Sequence, residues 1–257
     1  MVWQAPGGTV WLLYVVRFGD TWSTSRIQAK ISTDNARSWS DASMIEAREG
    51  SMVRAHPIAL NDDDILIPIY YEAGTDTESV DPASTSLFLR FDPRKKTWST
   101  TSGIHSRLGN IQPAVVQITN DYLIAYCRRG GDYGPRADGY LVRTESRDGG
   151  RSWSAGTDSQ FPNPNSAVDF IRLNNGHLLL VYNDSMSRRS PLTVALSADE
   201  DKSYPWRKNI AEGANDFAYP RAIQTSDGLI HVVYTSNRRT VINHAVFSED
   251  WITGAAK

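Results

Sequence analysis

Cysteine is nearly missing from this 257-residue chain, in which Cys127 stands alone. An internal disulfide and any metal cluster built on thiolates are thereby excluded. Histidine is scarce too, five residues with no ligand spacing among them, so neither a metal nor another cofactor is expected. No apolar run approaches the roughly 18 residues of a helical membrane span, and the N-terminus has no charged segment followed by an apolar one. Charge of one sign is also lacking: 27 basic and 29 acidic residues leave a formal net charge of −2. Neither nucleic acid nor a membrane surface is therefore expected as the main partner, and any anionic ligand must be drawn in locally.

What the chain has is a repeat. A polar turn followed by an apolar strand ending in Tyr recurs at Tyr14, Tyr70, Tyr126, Tyr182 and Tyr234, with turns such as Pro6-Gly7-Gly8, Asn174-Asn175-Gly176 and Ser226-Asp227-Gly228. A second landmark follows in phase. Its cleanest copy is Ser146-Arg147-Asp148-Gly149-Gly150-Arg151-Ser152-Trp153, where Asp148 can fold back onto the amides of its own turn and the glycines can take positive φ. Asp34 and Asp199 occupy the same place in other copies, Asp92 is degenerate, and Ser248 to Trp251 is a remnant. All these aspartates read as structural staples.

Short β-branched or aromatic segments bounded by Gly, Pro, Asn and Asp fill the intervals, and no amphipathic helix is evident. Units of about 50 residues with roughly four strands each predict an all-β propeller, one domain with blades near 1–52, 53–108, 109–162, 163–214 and 215–257. Both landmark turns then lie on one face. The opposite face receives His56, Gln112, Asn165, Tyr219 and Arg221 from connections between blades. Loops after the tyrosines add Tyr71, Arg128, Arg129, Asn183, Arg189 and Arg238. Several guanidiniums with few acids suit a planar anion, and amides and aromatics suit sugar hydroxyls and ring faces, so an acidic sugar or glycan is the expected ligand.

On these Asp turns and this loop set, the chain resembles the sialidases (neuraminidases) and their Asp-box, or BNR-repeat, relatives over essentially its whole length. The resemblance implies a six-bladed propeller that cleaves terminal sialic acid, using three arginines on the carboxylate, a Tyr nucleophile activated by a Glu, and an Asp acid/base. Tyr219 matches the nucleophile, and Arg189 and Arg128 match two of the arginines. Two departures stand out. Gln112 occupies the place of the Glu, and the blade with the first arginine and the acid/base Asp, marked by an Arg-Ile-Pro stretch, has no counterpart, so five repeats are visible where six are expected. Met1 runs almost directly into the strand-like Val2-Trp3-Gln4, which fits an N-terminal blade that is missing.

Three readings follow. A sialidase-like glycoside hydrolase, impaired by Gln112 and the absent blade, comes first. A uronate-directed polysaccharide lyase would use His56 and Tyr219 or Tyr71 as base and acid, with Arg128 and Arg189 on the carboxylate. A non-catalytic glycan-binding propeller is the third. An unclosed propeller edge would also offer a surface for self-association.

Overall fold

The computed structural model describes residues 1–75 and 79–255, and within them the chain is an all-β arrangement of five blades. Blade I holds β1 (Val2–Gln4), β2 (Val10–Arg17), β3 (Ser25–Ser32) and β4 (Ser43–Glu46). Blade II holds β5 (Ser51–Val53), β6 (Ile58–Ala59), β7 (Ile65–Tyr71), β8 (Thr85–Asp92) and β9 (Thr97–Thr100), with both β5 and β6 paired to β7. Blade III is β10 (Asn110–Gln117), β11 (Leu123–Arg129), β12 (Tyr140–Ser146) and β13 (Thr157–Pro162). Blade IV is β14 (Asp169–Arg172), β15 (Leu178–Asn183), β16 (Leu192–Ser197) and β17 (Trp206–Ala211). Blade V has only β18 (Ala218–Gln224), β19 (Ile230–Ser236) and β20 (Val241–Phe247), followed by the short α1 (Glu249–Thr253). All pairings are antiparallel and, apart from the pairing of β5 with β7, join consecutive strands.

Strands β7, β11, β15 and β16 are buried along their whole length, because each is packed between blades on both faces. Their sequences are accordingly mainly apolar, with buried polar residues such as Arg128, Arg129 and Asn183 at their ends. The Asp turns join the third and fourth strands as the repeat predicts. Asp148 Oδ1 accepts from the amides of Arg151 (3.0 Å) and Ser152 (2.9 Å) and from Ser146 Oγ (2.8 Å), while Ser152 Oγ donates to Oδ2 (2.5 Å). Gly149 and Gly150 have φ of 71° and 85°, and Trp153 stacks on Phe88 with ring centroids 4.2 Å apart. Asp34 and Asp199 accept the same serine bonds in blades I and IV. The fifth remnant differs: Ser248 Oγ accepts from the Trp251 amide (3.2 Å) and caps α1, so a helix stands where a fourth strand was anticipated.

Apolar clusters join blade I to II, II to III, III to IV and IV to V. Among the described residues no such cluster joins blade V to blade I; a contact of Arg221 Nη2 with Met1 Sδ (3.8 Å) spans that junction. The far face of blade V consequently shows Ile223 (58% exposed), Val233 (42%) and Val246 (47%) to solvent.

Candidate active site

On the face opposite the Asp turns, the innermost strands carry two matching irregularities. Register breaks between Ile111 and Ala114 in β10 and between Ala218 and Arg221 in β18, and each bulge holds one non-glycine residue in left-handed conformation, Gln112 (φ 57°) and Tyr219 (φ 55°). Asn165, just before β14, shares that conformation (φ 57°). Such backbones are costly for L-residues, by about 1–3 kcal/mol each, and persist where the surroundings demand a particular side-chain direction.

These three residues and two arginines form one constellation. Arg128, at the end of β11 and only 3% exposed, donates from Nε to Asn165 Oδ1 (2.6 Å), from Nη1 to Gln112 Oε1 (3.4 Å) and from Nη2 to the Tyr133 hydroxyl (3.0 Å). Arg189, 8% exposed, donates from Nη2 to the Asn165 carbonyl (3.2 Å), and its Cζ lies 5.5 Å from the Tyr219 ring centroid and 5.4 Å from that of Tyr133. Neither arginine makes an ion pair among the described residues. Asn165, fully buried, spends its amide on the carbonyls of Gly131 and Asp132, so it positions both guanidiniums instead of meeting a ligand. Arg54 closes the floor. It donates to the carbonyls of Val168 and Pro220 (2.7 Å each) and lies 5.7 Å from the Tyr219 ring.

Several anticipated members stand elsewhere. Successive strand residues face opposite sides, so where Arg128 enters the site, Arg129 points into the blade body, bonded to the carbonyls of Asn163 and Gly130. For the same reason Tyr70 takes the site position and Tyr71 turns toward blade I, donating to Glu46 Oε2 (3.1 Å). Asn183 is fully buried, donating to the carbonyls of Pro191 and Phe217 and accepting from Ser166 Oγ. Arg221 pairs with Asp169 (3.2 Å) and, with His56, lines a cavity of about 670 Å³ at the inner strands on the Asp-turn side. Burial lowers the pKa of His56, which faces Asp169, Arg221 and Arg54. Arg238 does reach the site rim.

A model of the BNR repeat-like domain matches residues 1–232. The chain belongs to the BNR repeat-like family. Its propeller is of the sialidase type, similar to the Hadza microbial sialidase Hz136 (16% identity, TM-score 0.76, 95% of this chain and 51% of that one) and to the NanB sialidase of Streptococcus pneumoniae (17%, 0.70, 89% and 36%). The α-L-arabinanase of Penicillium chrysogenum is similar as well (16%, 0.63, 93% and 77%). The chain thus spans about half the length of the first sialidase and about a third of the second. No curated protein matches it in sequence.

In this BNR propeller, three residues of the site escaped the sequence reading, Tyr70, Tyr133 and Arg54, while Glu72 and Arg239 come from the loops after the tyrosines that the repeat sends to this face. Gln112 Nε2 donates to the Tyr70 hydroxyl (3.4 Å), whose pKa is raised by burial and by Glu72. Strand alternation with known register would have picked Tyr70 over Tyr71, and the aromatic in the loop between β11 and β12 was a signal for Tyr133. Burial also raises the pKa of Glu72, against the pull of Arg128. For Tyr219, burial opposes ionisation, but the guanidiniums of Arg128, Arg189 and Arg239 outweigh it and its pKa is lowered. The site therefore combines a cation-flanked phenol whose pKa is lowered with a partly buried carboxyl whose pKa is raised.

Proposed function

We propose that this BNR propeller is a sialidase-like glycoside hydrolase acting on a terminal acidic sugar. One observation carries the reading: Arg128 and Arg189 are buried beside Tyr219 and neither is ion-paired to a carboxylate among the described residues. A buried guanidinium without a counter-ion is unfavourable, and a ligand carboxylate gripped by both relieves it.

With the carboxylate so held, the anomeric carbon is presented to the Tyr219 oxygen. The phenolate attacks, the bond from the anomeric carbon to the glycosidic oxygen breaks, and a proton from the Glu72 carboxyl goes to the departing oxygen. Water then attacks the anomeric carbon of this aryl glycoside, its proton passes to the Glu72 carboxylate, and the bond to Tyr219 breaks to release the phenolate. Gln112 cannot accept the proton of Tyr219, so ionisation rests on the surrounding cations.

A fluorogenic aryl sialoside tests this. Release of fluorophore by the native chain and its loss on Tyr219→Phe are expected, whereas undiminished turnover by Tyr219→Phe overturns the reading. A second reading, binding without hydrolysis, is favoured by Gln112 in place of a base. It predicts retained binding of the sugar with no product from any variant.

A further inference from the structure

Beside Tyr219 a cavity of about 420 Å³ opens between the loops of blades III, IV and V, lined by Tyr133, Arg188, Arg189, Asp216, Arg238 and Arg239 among others. It shares Arg189, Arg239 and Tyr133 with the surroundings of Tyr219 described above and extends outward from them to Arg188 and Arg238. Among the described residues lining it, four guanidiniums accompany one carboxylate. Some arginines elsewhere are paired with acids, as Arg107 is with Asp138 and Asp158 and Arg136 with Asp138. Arg188 is bonded to the Gly213 carbonyl, which leaves its charge uncompensated, and Arg238 and Arg239 have no hydrogen-bond or ion-pair partner among the described residues. Arg239 Cζ lies 5.3 Å from the Tyr219 ring centroid, on the same aromatic that Arg189 approaches.

The backbone supplies an independent observation. Asn237, Arg238 and Arg239 are consecutive left-handed residues in the hairpin between β19 and β20 (φ 49°, 55° and 69°). The turn sets where the two arginine side chains project, and it brings Arg239 against the Tyr219 ring.

We infer that this cavity is a second anion subsite, and that the preferred ligand is a glycan bearing a further carboxylate or sulfate ester on the sugar next to the terminal acidic one. The inference rests on the function proposed above. The inner pair, Arg128 and Arg189, holds the terminal carboxylate. The outer group, Arg188, Arg238 and Arg239, takes the second anion, with Arg189 between the two.

The test is calorimetric titration with hydrolysis-resistant, sulfur-linked glycans: 3′-sialyllactose with one carboxylate, a disialyl analogue with two, and a sialyllactose sulfated on galactose. A dianionic ligand is expected to bind about tenfold or more tightly than the monoanionic one, the range for a charge-assisted bond. The advantage should shrink with added salt and fall to about unity in R238A/R239A. Whichever dianionic glycan carries it identifies the second group as carboxylate or sulfate. Thermal unfolding checks that the variant folds, and Arg238→Gln and Arg239→Gln separately repeat the test with less change of volume. Equal affinity for one and two anions, or an advantage that survives R238A/R239A, overturns the second subsite while monoanionic binding leaves the proposed function standing. No binding of any of the three glycans overturns both.

Discussion

In the proposed hydrolase Gln112 supplies no base for the proton of Tyr219. It occupies a left-handed bulge position like that of Tyr219, and its carbonyl oxygen is committed to Arg128 and its amide to Tyr70. Gln112→Glu places a carboxylate at that spot and is expected to raise kcat on an aryl sialoside by about tenfold or more, the low end of what a positioned base contributes. The same carboxylate competes with substrate for Arg128, so KM should rise with kcat, and steady-state kinetics resolve the two. Arg189→Ala acts in the opposite sense. It removes a guanidinium from beside Tyr219, so the phenol should titrate at higher pH, read as phenolate absorbance against Tyr219→Phe. It should also cost affinity for a sialoside carboxylate by about tenfold or more. An unchanged tyrosine titration in Arg189→Ala means the cations around Tyr219 do not govern its ionisation.

At the scale of the element, the Asp turns hold blades I, III and IV together without touching the site. Serine hydroxyl and amide bonds keep the carboxyls of Asp34 and Asp199 at about 2, and Asp148 reaches about 2 against a burial penalty. A depressed folded-state pKa gives stability that is present above the unfolded value of about 4 and is lost as pH falls toward 2. Acid titration followed by circular dichroism should therefore show stability falling below about pH 4, and Asp148→Ala should blunt that fall and destabilise by about 1–2 kcal/mol at neutral pH, as expected when a capping side chain is removed. Asp148→Ala should leave glycan affinity alone. A variant with the native acid profile places the acid sensitivity in other carboxylates. These turns, the repeat and the division into two faces were legible because Ser, Asp, Gly and Trp act within one short segment. The site was legible only in part. Arg128 beside Arg129 and Tyr70 beside Tyr71 differ by a single step of strand alternation, and the bulges at Gln112 and Tyr219 reset that step in ways no local pattern records. His56 and Arg221 sit near the right bulges but turn toward Asp169, a buried charge whose position only the assembled ring reveals.

For the whole molecule, the blades differ in how many neighbours support them. Blades II, III and IV are each packed on two sides, while blade V rests on IV and blade I on II. Blade V also ends in β20, whose outer edge carries no further strand. Protection from hydrogen exchange should follow that order as denaturant rises, with peptides from β2–β3 and β18–β20 opening before those from β11–β12 and β15–β16. The site lies across this gradient, since Arg128 belongs to blade III, Tyr219 to blade V, and Arg189 to the loop following β15. A bound acidic glycan therefore ties the weakly held blade V to the firmly held III and IV. At a hundred times its dissociation constant a ligand adds about 2.7 kcal/mol to whatever opening abolishes its site. Exchange in β18–β20 should slow by that amount on addition of the glycan, and exchange in β2–β3 should not. Equal slowing in both would mean that blades I and V open together, joined through the junction that the apolar clusters leave empty.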